Sequence, residues 1–349
     1  MASKNVQITD DLSSVLDRFF FDRNYTQVAV LVDENTEQAC LPLVKDLIPE
    51  HWLISIVSGE SNKNLSTCES IWGALTEGSF DRHSLMINLG GGVIGDMGGF
   101  CAATFKRGID FINIPTTLLS QVDASVGGKL GIDFQGFKNH IGVFKDPELV
   151  IIDPVFLKSL PNKELRSGFA EAIKHCLIAD RKRWDEISQK NLDTQNWVDI
   201  IGHSVAVKED IVAGDPFEKG QRKLLNFGHT IGHAIESTYL DRGEERLLHG
   251  EAIAIGMICE SYLSKKKSGL QETELNEIVS YINRIFGLPQ LDKEAFEEMV
   301  ELISQDKKNQ GKVINCTLLK TIGEGVVNIP ISTGDVIDAL FYYNQLSDK

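Results

Sequence analysis

Residues 226–237, NFGHTIGHAIES, set His229 and His233 four residues apart. On a helix that spacing stacks two imidazoles on one face. It is also the histidine spacing of the H-E-x-x-H zinc proteases. Here Thr230 follows His229, so the glutamate that acts as their base is absent and that chemistry is excluded. Read as one helix, Arg222, Asn226, His229 and His233 step by four, three and four onto a single polar face. Gly228 and Gly232, also four apart, leave room for a second helix or a metal to come close. A second stretch, GFAEAIKH, puts Glu171 and Lys174 on one helical face, and LLHGEAIAIGM opens a third helix with His249 at its head. One carboxylate and two imidazoles from three segments form a ligand set for a catalytic zinc, with a position left for water or substrate. His229 is taken as the ligand of its helix, although spacing does not separate it from His233. Glu251 is the alternative carboxylate.

A second chemistry lies upstream. In LGGGVIGDMGG (89–99), Gly90, Gly92 and Gly95 satisfy G-x-G-x-x-G between a strand and a helix. Such a turn lets backbone N–H groups reach a pyrophosphate. On its own the pattern equally describes a tight strand–helix turn. Its neighbours favour a nucleotide. Asp33 and Asn35 end one apolar run, Glu60 and Lys63 follow another, and Thr116 and Thr117 close a third. In an open α/β sheet, ligands bind at the carboxyl ends of strands. Arg107, Lys129, Lys138 beside Asn139, and Lys307 with Lys308 stand in glycine- or asparagine-rich stretches that read as loops and suit an oxyanion.

The elements that must hold these residues divide the chain. QVAVLVD (27–33), WLISIVSG (52–59), SLMINLGGG (84–92), DFINIPTT (110–117) and LVIIDP (149–154) are buried-strand runs. Helix-like stretches such as 36–48 and 63–77 lie between them. The pattern predicts a mostly parallel α/β sheet. Beyond about residue 160 the runs become amphipathic helices (KELRSGFAEAIKHCLI, WVDIIGHSVAVKEDIV, HGEAIAIGMICESYLSKK and ETELNEIVSYINRIF), with a short late hairpin in KVINCTLLKTIGEGVVNI. Two domains are expected: an α/β domain over 1–160 and a helical one, bearing metal and substrate, over 161–349.

Composition narrows the partners. The chain of 349 residues carries a net charge of −15 and no long basic run, which argues against nucleic acid. No apolar run reaches the ~18 residues a membrane helix needs. The start, MASKNVQITDDL, lacks the apolar core of a signal peptide. Six scattered cysteines without a C-x-x-C pair are expected to be reduced, as in a cytoplasmic protein.

Together GGGVIGD, RGIDFINIPTTLLSQVDASVGGK, KNHIG, GFAEAIKH, DPFEKGQRKLLNFGHTIGHAIE and HGEAIAIGM, in this order, resemble the 3-dehydroquinate synthases, a family of sugar phosphate cyclases. The resemblance runs from about Val30 to Lys312. It implies a Rossmann-like α/β N-terminal domain, an all-α C-terminal domain, NAD, and Zn2+ or Co2+. By matched motif it implies Glu171, His229 and His249 as metal ligands. Asp33, Asn35, Glu60, Lys63, Gly91, Gly92, Val93, Asp96, Thr116, Thr117, Lys129, Lys138, Phe156 and Ser159 match cofactor contacts. Asp123, Lys129, Asn139, Lys174, Lys208, Arg222, Asn226, His233 and Lys307 match catalytic or substrate contacts. Arg107 matches an arginine that reaches the partner's site, which implies a homodimer.

The implied activity is that of a phosphorus–oxygen lyase, the second step of the shikimate pathway in aromatic amino acid biosynthesis. It takes 3-deoxy-D-arabino-heptulosonate 7-phosphate to 3-dehydroquinate and phosphate. The course is a transient oxidation, phosphate elimination, reduction and intramolecular aldol closure. Another sugar phosphate cyclase, or a polyol dehydrogenase of the same fold, is the alternative. Leu130, Gly98 and Ser159 depart from the family's commoner pattern.

Overall fold

The computed structural model of the chain describes residues 5–124, 127–135, 137–215, 218–240, 242–305 and 314–347. The chain forms two compact units. One holds Met1–Leu165 and Trp197–Val205, the other Arg166–Asn196 and Ala206–Lys349.

The first unit contains β1 (Val6–Ile8), α1 (Leu12–Phe21), β2 (Val28–Asp33), α2 (Glu34–Ala39), β3 (Trp52–Ile56), α3 (Leu65–Glu77), β4 (Leu85–Gly90), α4 (Gly92–Thr104), β5 (Asp110–Pro115), β6 (Lys129–Phe134), β7 (Phe137–Phe144) and β8 (Leu149–Ile152). Six strands form one sheet in the order β1-β8-β5-β4-β2-β3. Every pairing in it is parallel. Helices cover both faces, which is why β2 and β4 read as unbroken apolar runs rather than alternating ones. Leu16, Val30, Ile87 and Ile114 fill one face, and Leu31, Met86, Met97 and Phe111 the other.

Three features differ from expectation. The helix expected over 36–48 stops at Ala39 and continues as two 3₁₀ turns, because Pro42 has no N–H to extend it. The stretches around Lys129 and Lys138, read as loops, form the antiparallel pair β6–β7, with Gly131 opposite Gly142. Buried Leu130 and Ile132 tie that pair to the core. The short β1, absent from the sequence reading, pairs with β8 at the sheet edge.

The second unit is built from α5 (Asn162–Ala179), α6 (Arg181–Ser188), α7 (Trp197–Gly214), α8 (His229–Tyr239), α9 (His249–Lys267), α10 (Glu272–Phe286), α11 (Phe296–Gln305), β9 (Ile314–Thr321), β10 (Glu324–Ile331) and α12 (Thr333–Ser347). The division between units falls inside α5 and α7. The expected late hairpin is β9–β10. α10 is amphipathic as expected, burying Leu275, Ile278, Ile282 and Ile285 on one face. α9 is not. Nearly every residue from Gly250 to Ser264 is buried, and α8, α10, α12 and β9 pack around it. A helix apolar on all sides is a core helix.

The seam between α8 and α9 is unusually close. Gly228 lies against Met257, Gly232 against Ile253, and Gly256 against the backbone of Gly228. The close approach anticipated at Gly228 and Gly232 is therefore that of a helix. A Cβ on Gly256 would lie 2.0 Å from the Gly228 carbonyl oxygen and 2.8 Å from the Gly232 nitrogen. Gly73 on α3 is the opposite case, since nothing lies within 4 Å of the place its Cβ would take. Gly73→Ala should therefore stabilise by about 0.5–1 kcal/mol through helix propensity. Gly256→Ala should destabilise by about 1–3 kcal/mol through overpacking. Denaturant unfolding of the two variants checks both signs. Equal gains would mean the seam can relax.

Candidate active site

Three helices of the second unit bring Glu171, His229 and His249 together, with one ligand atom from each within 4.8 Å of the others. Glu171 projects from the middle of α5 and its side chain is 1% exposed. Lys174, one turn on and equally buried, pairs with its Oε2. The other oxygen, Oε1, is buried with no hydrogen-bond donor of its own. It stands 3.4 Å from Nε2 of His229 and 3.4 Å from Nε2 of His249.

Both imidazoles are fixed from behind. His229 Nδ1 donates to the Phe227 carbonyl at 3.0 Å, so its Nε2 offers a lone pair. His249 Nδ1 meets Glu236 Oε2 at 3.1 Å. An acceptor on Nδ1 with Nε2 turned inward is the arrangement of metal-ligating histidines. The bare carboxylate oxygen opposite two such nitrogens fits a divalent cation of the zinc type.

The electrostatics separate the two histidines. Burial, and then the Lys174 ammonium, hold His229 well below the usual imidazole range. Burial acts the same way on His249, but the Glu171 and Glu236 carboxylates beside it overcome that and push the ring up to about 9. Burial would raise Glu171, yet Lys174 and the two imidazoles hold its carboxyl well below the usual range.

The continuous polar face from Arg222 to His233 does not form. Arg222 and Asn226 sit on a 3₁₀ turn, Gln221–Asn226, and Gly228 breaks the path with φ +80°. His229 is the first residue of α8. His233, one turn on, keeps the predicted relation, its ring edge-on to His229 at 4.9 Å between centroids and 5.8 Å from His249. Arg222 and Lys208 are buried and Asn226 half-buried. The alternative carboxylate, Glu251, is engaged elsewhere. It accepts from Leu248 N and pairs with Arg166 at 2.8 Å.

In the first unit, Lys63 follows β3 and is almost fully buried. Its Nζ reaches Asp96 Oδ2 at 2.6 Å and Asn139 Oδ1 at 2.7 Å. Three expected contacts from three elements thus meet at one ammonium. Asp33 ends β2 and caps α2, accepting from the N–H groups of Asn35 and Thr36. Asp33, Thr116 and Ser159 gather about Cys40, whose thiol burial pushes up to about 11. Gly91 precedes α4 with no side-chain cap, so that helix start keeps its N–H groups available. Thr117 packs beside Gly91. Gly92 and Val93 form the first turn of α4, and Glu60 is half-buried in the 3₁₀ turn before Lys63.

Asp123 lies half-buried on a π-helical turn, Ser120–Ala124. Lys129 and Lys138 are exposed on β6 and β7. Phe156 is a core residue. Arg107 is exposed, and it follows Lys106 in a left-handed pair with φ +50° and +70°. Lys307 and Lys308 lie outside the described residues.

Several residues of these sites escaped the sequence reading. Glu236 backs His249. Asp133 accepts from Asn139 N at 2.7 Å. Asp215 accepts from the N–H groups of Lys219, Gly220 and Arg222 and so shapes the loop before Arg222. Glu218 accepts from Asn226 Nδ2. Glu236 lay in the quoted GHAIE motif, seven residues after His229, and two helical turns is a signal that could have found it. The others had no local spacing signal.

Comparison with known proteins bears on the family and the fold. The family model described as 3-dehydroquinate synthase N-terminal matches residues 53–167, and 3-dehydroquinate synthase C-terminal matches 168–309. A 3-dehydroquinate synthase of Parabacteroides distasonis is 42% identical over 350 aligned positions, 99% of each chain. Among solved structures, 2-epi-5-epi-valiolone synthase from Streptomyces hygroscopicus subsp. jinggangensis, with NAD+ and Zn2+ bound, superposes with a TM-score of 0.86. It is 25% identical and covers 99% of this chain and 98% of its own. A 2-deoxy-scyllo-inosose synthase complexed with carbaglucose-6-phosphate, NAD+ and Co2+ has a TM-score of 0.84 at 21% identity, covering 96% and 95%, and shares the fold. Its parallel sheet, its helical second unit and its identity to these relatives over nearly its whole length place the chain in the 3-dehydroquinate synthase family.

Proposed function

We propose that this chain converts 3-deoxy-D-arabino-heptulosonate 7-phosphate to 3-dehydroquinate and phosphate, using NAD and Zn2+ or Co2+. The observation that carries the metal-dependent reading is the bare Glu171 oxygen facing two Nε2 atoms at 3.4 Å. When bound, the metal acidifies a substrate hydroxyl and the nicotinamide takes up and later returns one hydride, so no net redox change remains.

The chain's own residues position substrate and neutralise charge. Glu171, His229 and His249 hold the metal. Residues 1–160 hold NAD, with Asp33 at the end of β2 and the uncapped start of α4 as its anchors. Residues 161–349 carry the metal and much of the substrate. Lys129, Asn139, Arg107 and Lys307 hold the phosphate. Arg222 presents a planar fork to the substrate carboxylate. His233 moves hydroxyl protons through water, and Asn226 orients the hydroxyl or water by hydrogen bonding. All six cysteines are buried and free, which supports a reducing, cytoplasmic setting. No described helix is long and apolar enough to cross a membrane.

The chain acts as a homodimer in this reading. Two successive non-glycine residues in the left-handed region cost about 1–3 kcal/mol each, a strain kept where a side chain must be aimed. At Lys106–Arg107 two such residues stand together and Arg107 is exposed, which supports a role toward a second copy.

Two experiments test these readings. Purified protein is given the seven-carbon phosphate substrate with trace NAD, and phosphate and NADH are followed together. Many phosphates per NAD, no NADH build-up, and loss of turnover on chelation are expected. NADH accumulating without phosphate would make the protein a dehydrogenase. For the dimer, Arg107→Ala and Glu171→Gln should each be nearly inactive alone. Unfolded and refolded together, they should regain about a quarter of wild-type activity, because half the dimers are hybrid and each hybrid has one complete site. No regain on mixing would place Arg107 in its own subunit's chemistry.

A further inference from the structure

Glu260 is an acidic residue for which the reaction has no use, yet it is 0% exposed, and burial pushes its carboxyl up to about 8. Among the described residues no lysine, arginine or histidine pairs with it. A buried acid of this kind is costly unless its oxygens are satisfied. Both are satisfied by one feature, the start of α8. Oε2 accepts from Gly228 N at 2.6 Å, and Oε1 accepts from Ile231 N at 3.1 Å.

Those two N–H groups belong to the helix N-cap and the third helical residue. They are the pair that a capping box satisfies with side chains from the helix itself. Here the N-cap is Gly228, which has no side chain to offer. It cannot gain one, since its φ is +80° and a Cβ would lie 2.6 Å from Met257. The cap comes instead from α9.

α9 is also the helix that carries His249. Glu260 is eleven residues along from it, three helical turns, and so returns to the same face. Gly256 lies on that face between them, against Gly228. One face of α9 thus bears a metal-facing imidazole at one end. At the other end it holds the backbone on either side of His229, the first residue of α8.

We propose that Glu260 is a positioning residue that sets the His229 imidazole relative to His249 by capping α8 from α9. This rests on the reading of Glu171, His229 and His249 as a metal site. Glu260→Gln keeps the side chain's shape and one acceptor, but turns an NH2 group onto a backbone N–H. α8 can then keep one of its two anchors.

The test is zinc affinity of the full-length protein, measured by competition with a chromophoric chelator, alongside denaturant stability of the metal-free protein. Asn344→Ala is the control for ordinary structural loss. Asn344 is a buried side chain on α12 that bonds Leu291 N and O, and it contacts neither histidine. Glu260→Gln should weaken zinc binding ~10–100-fold, the usual effect of losing a residue that orients a ligand. Asn344→Ala should lose stability with zinc affinity unchanged. If Glu260→Gln loses stability but binds zinc like wild type, Glu260 serves the fold alone and the proposal is overturned.

If Glu260→Gln does not fold, Glu260→Asp, which retains the carboxyl group but is one methylene short, is judged by the same criterion. Failure of both to fold even with zinc present overturns the assignment as well. Wild-type protein that binds no zinc, or a Glu171→Gln variant that binds it normally, would sink the metal reading itself, a result distinct from either.

Discussion

A carboxylate removed from water must be answered by positive charge or by donors, and Glu171 sets that demand at the centre of the second unit. One oxygen is answered by Lys174 from the same helix, one turn away. The other faces Nε2 of His229 from α8 and Nε2 of His249 from α9, each at 3.4 Å. For both Nε2 atoms to reach one oxygen, the two helices must lie almost backbone to backbone. That explains glycine at 228, 232 and 256 better than any local preference does. It also explains why α9 is apolar on nearly every side, for a helix enclosed by α8, α10, α12 and β9 has no solvent face to make polar.

The charges at this cluster balance in the metal-free protein. Glu171 is ionised against Lys174, and His249 lies protonated between Glu171 and Glu236, while His229 is kept neutral by burial and by Lys174. For Nε2 of His249 to act as a ligand it must give up its proton, and Glu236 on the far nitrogen keeps the ring oriented when it does. Lys174 works in two directions. It stabilises the carboxylate, and as a neighbouring cation it opposes a second positive charge.

Legibility from sequence followed the range of each interaction. Glu171 with Lys174 and His229 with His233 were readable, because helical periodicity joins residues three and four apart. The five main strands were readable because a parallel sheet buried on both faces leaves unbroken apolar runs. The reading failed where the backbone leaves its period. Arg222 and Asn226 were put on the face of His229, but Gly228, in the left-handed region, ends one turn and begins α8 afresh. β6 and β7 read as loops because their glycines and lysines are poor strand formers, and only the packing of Leu130 and Ile132 on the core makes them a hairpin. Glu260 was invisible for a third reason. Its partners Gly228 and Ile231 are 32 and 29 residues away, and no periodicity links them.

Gly98 and Leu130 belong to a single packing solution. Gly98 lies on the inner face of α4, where a Cβ would sit 2.1 Å from Asn88 Oδ1 and 2.7 Å from Leu31. Asn88 fills that space from β4 and donates to Asn113 on β5. At the next residue, Gly99 has the buried Leu130 side chain where its own Cβ would be, 2.5 Å away. The hairpin therefore rests on α4 through Leu130, and the sheet meets the same helix through Asn88. A larger residue at 98 would require a smaller one at 88, and a polar residue at 130 would expose Gly99. Both changes would act by shifting α4 against the sheet, and α4 carries Asp96, the ion-pair partner of Lys63. Gly98 and Leu130 thus bear on the proposed cofactor contacts through the placement of one helix. Ser159 has its hydroxyl engaged with the Phe156 carbonyl, a local turn contact.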